Sequence, residues 1–229
     1  MAGRLLELLR ARPGLIASLP ANRVELAQAA LEGGADALKV HIHLHHDASG
    51  THFGPLAQER PALEAILALG APVGLVVGAE RVASPAELQA VVEMGFDFID
   101  AYAHHLPAWM FSASPLPCMV AIGSDYTLDE VRALPGLGIE LLEAAIIDHA
   151  GYGQPLTTRD LLHYRMLAEA VPIPMVVPTQ RAITPPEAAF LVRRVGVRAV
   201  MIGAIVTGKE PESYRQATAR FRAALDQAL

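Results

Sequence analysis

Short runs of apolar residues alternate along this chain with longer segments in which apolar residues recur at helical spacing. The apolar runs have the length of strands, and we predict eight of them, at 14–19, 37–44, 73–78, 96–103, 118–122, 139–147, 173–177 and 199–202. The periodic segments predict helices at 23–32, 61–69, 85–94, 128–133, 158–170, 185–195 and 211–229, after an amphipathic helix at 1–12. This alternation of strands with helices predicts a parallel sheet.

Capping signals support these helices. Ser84 and Thr184 each precede a proline, which is typical of a helix start, and Gly95 and Gly196 stand where a helix ends. Eight strand–helix units predict a (β/α)8 TIM barrel that forms one domain over residues 1–229, with an extra N-terminal helix. The alternative is a doubly wound open sheet.

Composition narrows the class of protein. Hydrophobic residues make up 52% of the chain and charged residues 18%, which suits a sheet that is covered on both faces. The net charge of −6 and the lack of a Lys/Arg cluster argue against a nucleic-acid or membrane partner. A single cysteine, Cys118, excludes an internal disulfide and favours a cytoplasmic location. No apolar run approaches the roughly 18 residues of a membrane span.

Ionisable and aliphatic residues alternate in the second predicted strand. Because side chains on a strand point alternately to its two faces, one face should carry four ionisable groups, those of Lys39, His41, His43 and His45. Histidine titrates near neutral pH and is a common metal ligand. This pattern indicates a functional site, although a polar strand face without any function is the alternative.

Lys39 is the first catalytic candidate. Burial and neighbouring imidazoles would both lower the pKa of a lysine, as in enzymes that use lysine as a base or to form a Schiff base. Asp100 or Glu143 could supply the opposite charge, and His41 and His43 could shuttle protons. The alternative is a buried Lys–Glu pair that only stabilises the barrel.

A divalent metal is the second hypothesis for the same strand. His41 and His43 form an H-x-H pair, and His104 after the fourth predicted strand could complete the set of ligands. Asp148 and His149, after the sixth strand, are further candidates. If no metal is bound, the predicted chemistry requires no cofactor.

Three large apolar residues, Trp109, Met110 and Phe111, follow one another in the proline-rich connection between the fourth and fifth predicted strands. Protein interfaces are enriched in these residue types. We therefore expect a subunit interface in a homo-oligomer or a lid over the barrel, with packing into the core as the alternative.

The order of local motifs resembles the ribulose-phosphate-binding barrel superfamily, and within it the N-acetylmannosamine-6-phosphate 2-epimerases. The similar segments cover nearly the whole chain and lie at 14–18, 34–39, 73–77, 95–99, 151–152, 181–185 and 196–207. The resemblance implies a barrel whose site lies at the carboxyl ends of the strands.

The resemblance also implies a phosphate site after the seventh and eighth strands. Arg181 matches the arginine of that family that contacts phosphate, and Gly203 and Ala204 would offer backbone N–H groups to a phosphorylated substrate or another anion. Pro178 departs from the pattern because proline has no N–H group.

The acid–base residues of the epimerases are missing. Their catalytic lysine, catalytic glutamate and strand-four aspartate fall at about Val77, Thr179 and Tyr102. We therefore expect an isomerase, an epimerase or a carbon–carbon lyase for a small phosphorylated sugar, with its chemistry moved to Lys39. The alternatives are a catalytically silent barrel that binds a metabolite or a protein partner, and a histidine-ligated, metal-dependent epimerase or lyase.

Overall fold

A computed structural model describes residues 3–228. Eight parallel strands close into one barrel, in which each strand pairs with the next and the last pairs with the first. Two further short strands form an antiparallel hairpin outside the barrel. The barrel strands are β1 (Gly14–Ser18), β2 (Ala37–His41), β5 (Val73–Val76), β6 (Phe98–Tyr102), β7 (Cys118–Ile122), β8 (Leu141–Ala144), β9 (Met175–Pro178) and β10 (Ala199–Ile202), and the hairpin strands are β3 (Leu44–His46) and β4 (Thr51–Phe53).

Helices connect the strands and cover the outside of the barrel. They are α1 (Arg4–Ala11), α2 (Val24–Glu32), α3 (Leu56–Leu67), α4 (Pro85–Met94), α5 (Ala108–Ala113), α6 (Leu128–Ala133), α7 (Thr158–Ala170), α8 (Pro185–Phe190), α9 (Ala204–Thr207) and α10 (Pro211–Asp226). Among residues 3–228, no helix combines the length and the apolar character that crossing a membrane requires. The predicted (β/α)8 barrel is confirmed.

The extra N-terminal helix packs against the residues that fill the barrel interior. Leu5, Leu6 and Leu9 of α1 are fully buried in one cluster with inward-facing strand residues, among them Ile16. The Asp97 carboxylate, just before β6, accepts the first N–H groups of α1 at 2.8 Å, which satisfies donors that have no partner within the helix. The helix thus seals the amino-terminal end of the barrel and leaves the carboxyl end for a site.

A glycine makes room for the largest side chain of this interior cluster. Gly74 on β5 is the register partner of Phe98 on β6. A β-carbon at position 74 would lie 2.0 Å from Cζ of Phe98, so any other residue would have to displace the ring. The interior is therefore filled by pairing a very small residue with a large one.

The structure corrects the predicted second strand. It ends at His41, and the chain turns at His43, which has a φ of 54°, before entering the β3–β4 hairpin. A non-glycine residue rarely adopts this left-handed conformation, and it breaks the alternation of faces. The third helix also begins earlier than predicted, at Leu56, and holds Pro61 inside it.

The apolar run after the fourth barrel strand forms the short helix α5. Met110 is fully buried, and Trp109 and Phe111 are partly buried against the main core. Packing into the core thus accounts for much of this run, and the interface or lid expected there stays a prediction.

Candidate active site at the carboxyl end of the barrel

Three charged side chains meet inside the barrel. Nζ of Lys39 on β2 lies 2.9 Å from Oδ2 of Asp100 on β6 and 2.7 Å from Oε2 of Glu143 on β8. None of the three residues is more than 6% exposed. Buried charges are normally paired, and here one cation is shared between two carboxylates. The structure therefore brings together the predicted residues Lys39, Asp100 and Glu143, which we call the charged triad.

The two carboxylates change the expected ionisation of the lysine. Burial lowers the pKa of Lys39, but the charges and hydrogen bonds of Asp100 and Glu143 oppose burial and leave the pKa above its usual value. The prediction of a lowered lysine pKa is therefore wrong, because both carboxylates point inward. Lys39 is an ammonium group at neutral pH.

The pKa of Glu143 is raised as well, which for a carboxyl group favours the neutral form. Burial and the nearby Asp100 raise the pKa of Glu143 to about 8, against the opposing charge of Lys39. Two carboxylates at close range cannot both ionise easily, so one of them keeps a proton. Within the described part of the chain, Oδ1 of Asp100 is buried without a hydrogen-bond partner. The triad therefore holds a protonated carboxyl, a carboxylate with a free acceptor atom and an ammonium group.

A cavity of about 410 Å³ extends from the triad to the carboxyl ends of the strands. This is the end of the barrel at which TIM-barrel enzymes carry their active sites. Many imidazole and phenol groups line the cavity, those of His41, His45, His46, His104, His105, His149, Tyr102 and Tyr152. Such rings offer hydrogen bonds as well as apolar faces, which suits a small polar ligand.

His41 points into the barrel, as the alternation predicts. Burial lowers the pKa of its imidazole well below the usual value, with a smaller contribution from His46 and Lys39. Its Nδ1 atom is buried and unpartnered within residues 3–228. The ring packs against Phe53, with 4.7 Å between the ring centroids. His41 is therefore a neutral, fixed imidazole on the wall of the cavity.

His43 does not join this site. Because the chain turns at His43, its Nε2 atom lies 2.8 Å from Oε1 of Glu87 at the start of α4, and the residue does not line the cavity. His104 lies at the exposed mouth, where its Nδ1 atom is 3.1 Å from the hydroxyl of Tyr126. The predicted ligand set of His41, His43 and His104 is therefore wrong as a group. In the described ranges, no three His, Cys, Asp or Glu side chains gather in a way that could hold a metal ion.

Part of the predicted anion site lies on the cavity and part does not. Gly203 and Ala204 line it, and the first N–H groups of α9 have no partner within that helix. The N–H of Gly203 itself donates to Oγ1 of Thr179 at 3.0 Å. Ala204 and the following Ile205 are therefore the residues whose amides could meet an anion here.

Arg181 lies outside the lining of the cavity. Its guanidinium group donates to both carboxylate oxygens of Asp160, at 3.0 and 3.1 Å, and to the carbonyl oxygen of Gly151. The predicted role of Arg181 as a phosphate ligand is not supported by this placement, because each of its three nitrogen atoms already donates a hydrogen bond within the protein.

Several lining residues could not be assigned to the site from the sequence. His46 lies on the hairpin, which the strand pattern did not predict, and Tyr152 lies in the loop after β8. The only sequence signal for the hairpin is Gly50 in a polar segment between two short runs, which is weak evidence.

Sequence comparisons give no match. No model of a known protein family matches the chain, and no curated protein does so either.

Solved structures share the fold. A thiamine phosphate pyrophosphorylase from Pyrococcus furiosus is 20% identical with a TM-score of 0.67, over 96% of this chain and 99% of the other. A tryptophan synthase of Mycobacterium tuberculosis is 16% identical with a TM-score of 0.78, over 98% and 99% of the two chains. KGPDC from Streptococcus mutans is 16% identical with a TM-score of 0.67, over 94% and 98%.

These likenesses concern the fold. At 16–20% identity these structures show the (β/α)8 barrel fold alone, and the predicted resemblance to the ribulose-phosphate-binding superfamily stays a prediction. The closer resemblance to the N-acetylmannosamine-6-phosphate 2-epimerases stays a prediction.

Proposed function

We propose that this protein is an isomerase or epimerase that transfers a proton at a carbon next to a carbonyl group in a small phosphorylated sugar. The observation that carries the proposal is the charged triad of Lys39, Asp100 and Glu143 at the inner end of the cavity. Proton transfer at such a carbon needs a base, an acid and a group that stabilises the negative oxygen, and the triad offers all three.

Each member of the triad has a role that follows from its ionisation. Asp100 is the base, because Oδ1 is an acceptor without a partner among the described residues. Its attack breaks the C–H bond, and the electron pair moves to the carbonyl oxygen and forms an enediolate. The Lys39 ammonium stabilises this anion. Glu143 then gives its proton to carbon to form the product, and the proton taken by Asp100 passes to the Glu143 carboxylate and restores the starting state.

The phosphate group belongs at the start of α9 in this proposal. Ala204 and Ile205 line the cavity there, and backbone N–H groups at a helix start bind anions. One of the structural neighbours, the thiamine phosphate pyrophosphorylase, is named for a phosphorylated compound. The proposal gives Arg181 no part in this binding.

A lyase that forms a Schiff base is less compatible with the triad. A lysine attacks a carbonyl as the neutral amine, whereas the two carboxylates hold Lys39 in the ammonium form. The isomerase or epimerase is therefore the form of the predicted chemistry that this geometry favours.

Deuterium exchange tests the proposed function. The protein is incubated in D₂O with a panel of aldose and ketose phosphates, and NMR measures the loss of the C–H signal next to the carbonyl. At least one compound should exchange, and Asp100→Asn and Glu143→Gln should each lower the rate at least 100-fold. Glu7→Gln, at an exposed position on α1, is the control.

Two results would contradict the proposal. One is exchange that continues unchanged in both triad variants. The other is a panel in which compounds raise the melting temperature but none exchanges, which would identify a barrel that binds a metabolite without turning it over.

A further inference from the structure

The β3–β4 hairpin adds the imidazole of His46 to the wall of the cavity. The hairpin leaves the barrel after β2, and His46 at the end of β3 pairs with Thr51 of β4. His46 lines the cavity together with Lys39 and Glu143. A residue from outside the barrel sheet is therefore added to the wall next to the charged triad.

A buried serine holds the ring of His46. Ser49, which is 3% exposed, places its Oγ atom 2.8 Å from Nδ1 of His46. The same Oγ accepts the backbone N–H of Thr51 at 3.3 Å. The hydroxyl hydrogen then has Nδ1 as its nearest acceptor, since the carbonyl oxygen of His46 is farther away, at 3.4 Å.

This contact favours the tautomer that carries its proton on Nε2. A neutral imidazole has one donor and one acceptor nitrogen, so a proton received at Nδ1 requires the ring's own proton to sit on Nε2. Nδ1 is occupied by Ser49, which leaves Nε2–H as the group that can act on a ligand.

The surroundings keep the ring neutral and in place. Burial, together with the charges of Lys39 and His45, lowers the pKa of His46 to about 4 against the opposing charge of Asp47. The ring packs against His41 with 4.9 Å between the centroids and meets Phe53 edge to face at 6.4 Å. The donor is therefore present over the whole neutral pH range.

We propose that His46 is a further catalytic residue, whose Nε2–H donates a hydrogen bond to the carbonyl oxygen of the substrate and stabilises the enediolate that forms there. Ser49 is the positioning residue that fixes the donor tautomer. This inference rests on the proposed function. A neutral donor suits this place because it adds no second positive charge beside Lys39, and a donor fixed in advance stabilises charge without reorganisation.

Nitrogen NMR tests the tautomer without any ligand. Protein labelled with ¹⁵N-histidine is measured between pH 5.5 and 8, and His46→Ala assigns the signals. We expect an unprotonated Nδ1 and a protonated Nε2 throughout, and a mixture of tautomers in Ser49→Ala. A proton on Nδ1, or an imidazolium ring at neutral pH, would overturn the inference.

Kinetics test the catalytic role with the sugar phosphate that exchanges deuterium. His46→Ala should lower kcat about 100-fold with a much smaller change in KM, as for the loss of one oxyanion donor. His46→Gln keeps an N–H donor and should recover part of the rate. His52→Ala, at an exposed position on the same hairpin, is the control and should keep the wild-type rate.

The outcomes separate the two proposals. If the wild type exchanges deuterium and His46→Ala is equally fast, only the role of His46 is wrong. If the wild type exchanges none of the sugar phosphates, the proposed function and the catalytic role of His46 both fail, whatever tautomer the spectrum shows.

Discussion

Nζ of Lys39 lies 2.7 Å from Oε2 of Glu143, although 104 positions separate the two residues in the sequence. They meet because β2 and β8 lie four strands apart in a closed barrel of eight, and therefore face each other across the interior. Asp100 lies on β6, midway between them. Alternate strands of such barrels contribute side chains to one layer, so closure of the barrel assembles the triad.

Removal of the lysine charge should destabilise the fold. Lys39→Met leaves the buried carboxylate of Asp100 without its cation, and we expect a loss of about 3–5 kcal/mol in the free energy of unfolding. Urea denaturation measures this loss. The variant with Lys39→Met, Asp100→Asn and Glu143→Gln together carries no buried charge there and should recover much of it. Lys39→Met as stable as the wild type would show that the ion pairs contribute little.

The exchange reaction should depend on the proton of Glu143. Because the pKa of Glu143 is raised to about 8, the side chain is protonated below that pH and ionised above it. If Glu143 supplies a proton, kcat/KM should fall about tenfold per pH unit above pH 8. A pH–rate profile in the deuterium assay checks this, and a flat profile to pH 10 would exclude Glu143 as the acid.

The partly buried imidazole of His46 should make the fold sensitive to acid. The unfolded chain binds a proton at His46 below its usual pKa of 6.5, whereas the folded protein does so only near pH 4. The unfolded state therefore binds more protons between these values, and stability falls as the pH decreases. For one such imidazole, the free energy of unfolding falls by roughly 3 kcal/mol.

Urea denaturation at several pH values tests this sign. His46→Gln should lose less stability between pH 6.5 and pH 4 than the wild type. The exposed His52→Gln should follow the wild-type curve. His41 has a lowered pKa as well, so part of the acid sensitivity should remain in His46→Gln. Equal losses in wild type and His46→Gln would contradict the assignment.

The alternating pattern predicts the inward-facing residues of β2 correctly up to His41, where the strand ends. Lys39 and His41 follow from a period of two, because each second side chain on a strand points to the same face. The rule fails at His43, where a φ of 54° turns the chain toward Glu87. Nothing in the local pattern predicts that partner, which lies 44 positions away.

The triad was only partly predictable for a related reason. Asp100 and Glu143 lie at inward positions that the strand pattern suggests, but the sequence does not show that both reach the same lysine. Their contact depends on the strand order and on how high each residue sits in the barrel. The consequence, a raised rather than a lowered pKa for Lys39, therefore required the three-dimensional arrangement.

The interior of the barrel should not accept a methyl group at Gly74. The β-carbon of Gly74→Ala would lie 2.0 Å from Phe98, so the ring has to move, and we expect a loss of about 1–3 kcal/mol. Adding Phe98→Leu should restore part of it, because a smaller side chain relieves the contact. Gly136→Ala is the control, since no atom lies within 4 Å of its added carbon. Thermal denaturation of the wild type, Gly74→Ala, the double variant with Phe98→Leu and Gly136→Ala measures these differences in stability.

Binding of inorganic phosphate should depend on the start of α9 and not on Arg181. Ala204 is the first residue of that helix, where proline fits but has no N–H. Gly203 has extended backbone angles, which a following proline permits. Ala204→Pro should therefore remove one donor from the cavity wall and weaken phosphate binding by about 1.5–3 kcal/mol, as for a hydrogen bond to a charged group.

Arg181→Ala should give the opposite pattern. Its guanidinium is bonded to the mostly buried carboxylate of Asp160, so its loss should lower the free energy of unfolding by about 1–3 kcal/mol and leave phosphate affinity unchanged. Calorimetric titration with phosphate and urea denaturation measure the two effects on the same variants. If Arg181→Ala weakens phosphate binding while Ala204→Pro does not, the arginine turns toward the ligand when it binds, and the phosphate position that the superfamily resemblance implies is correct after all.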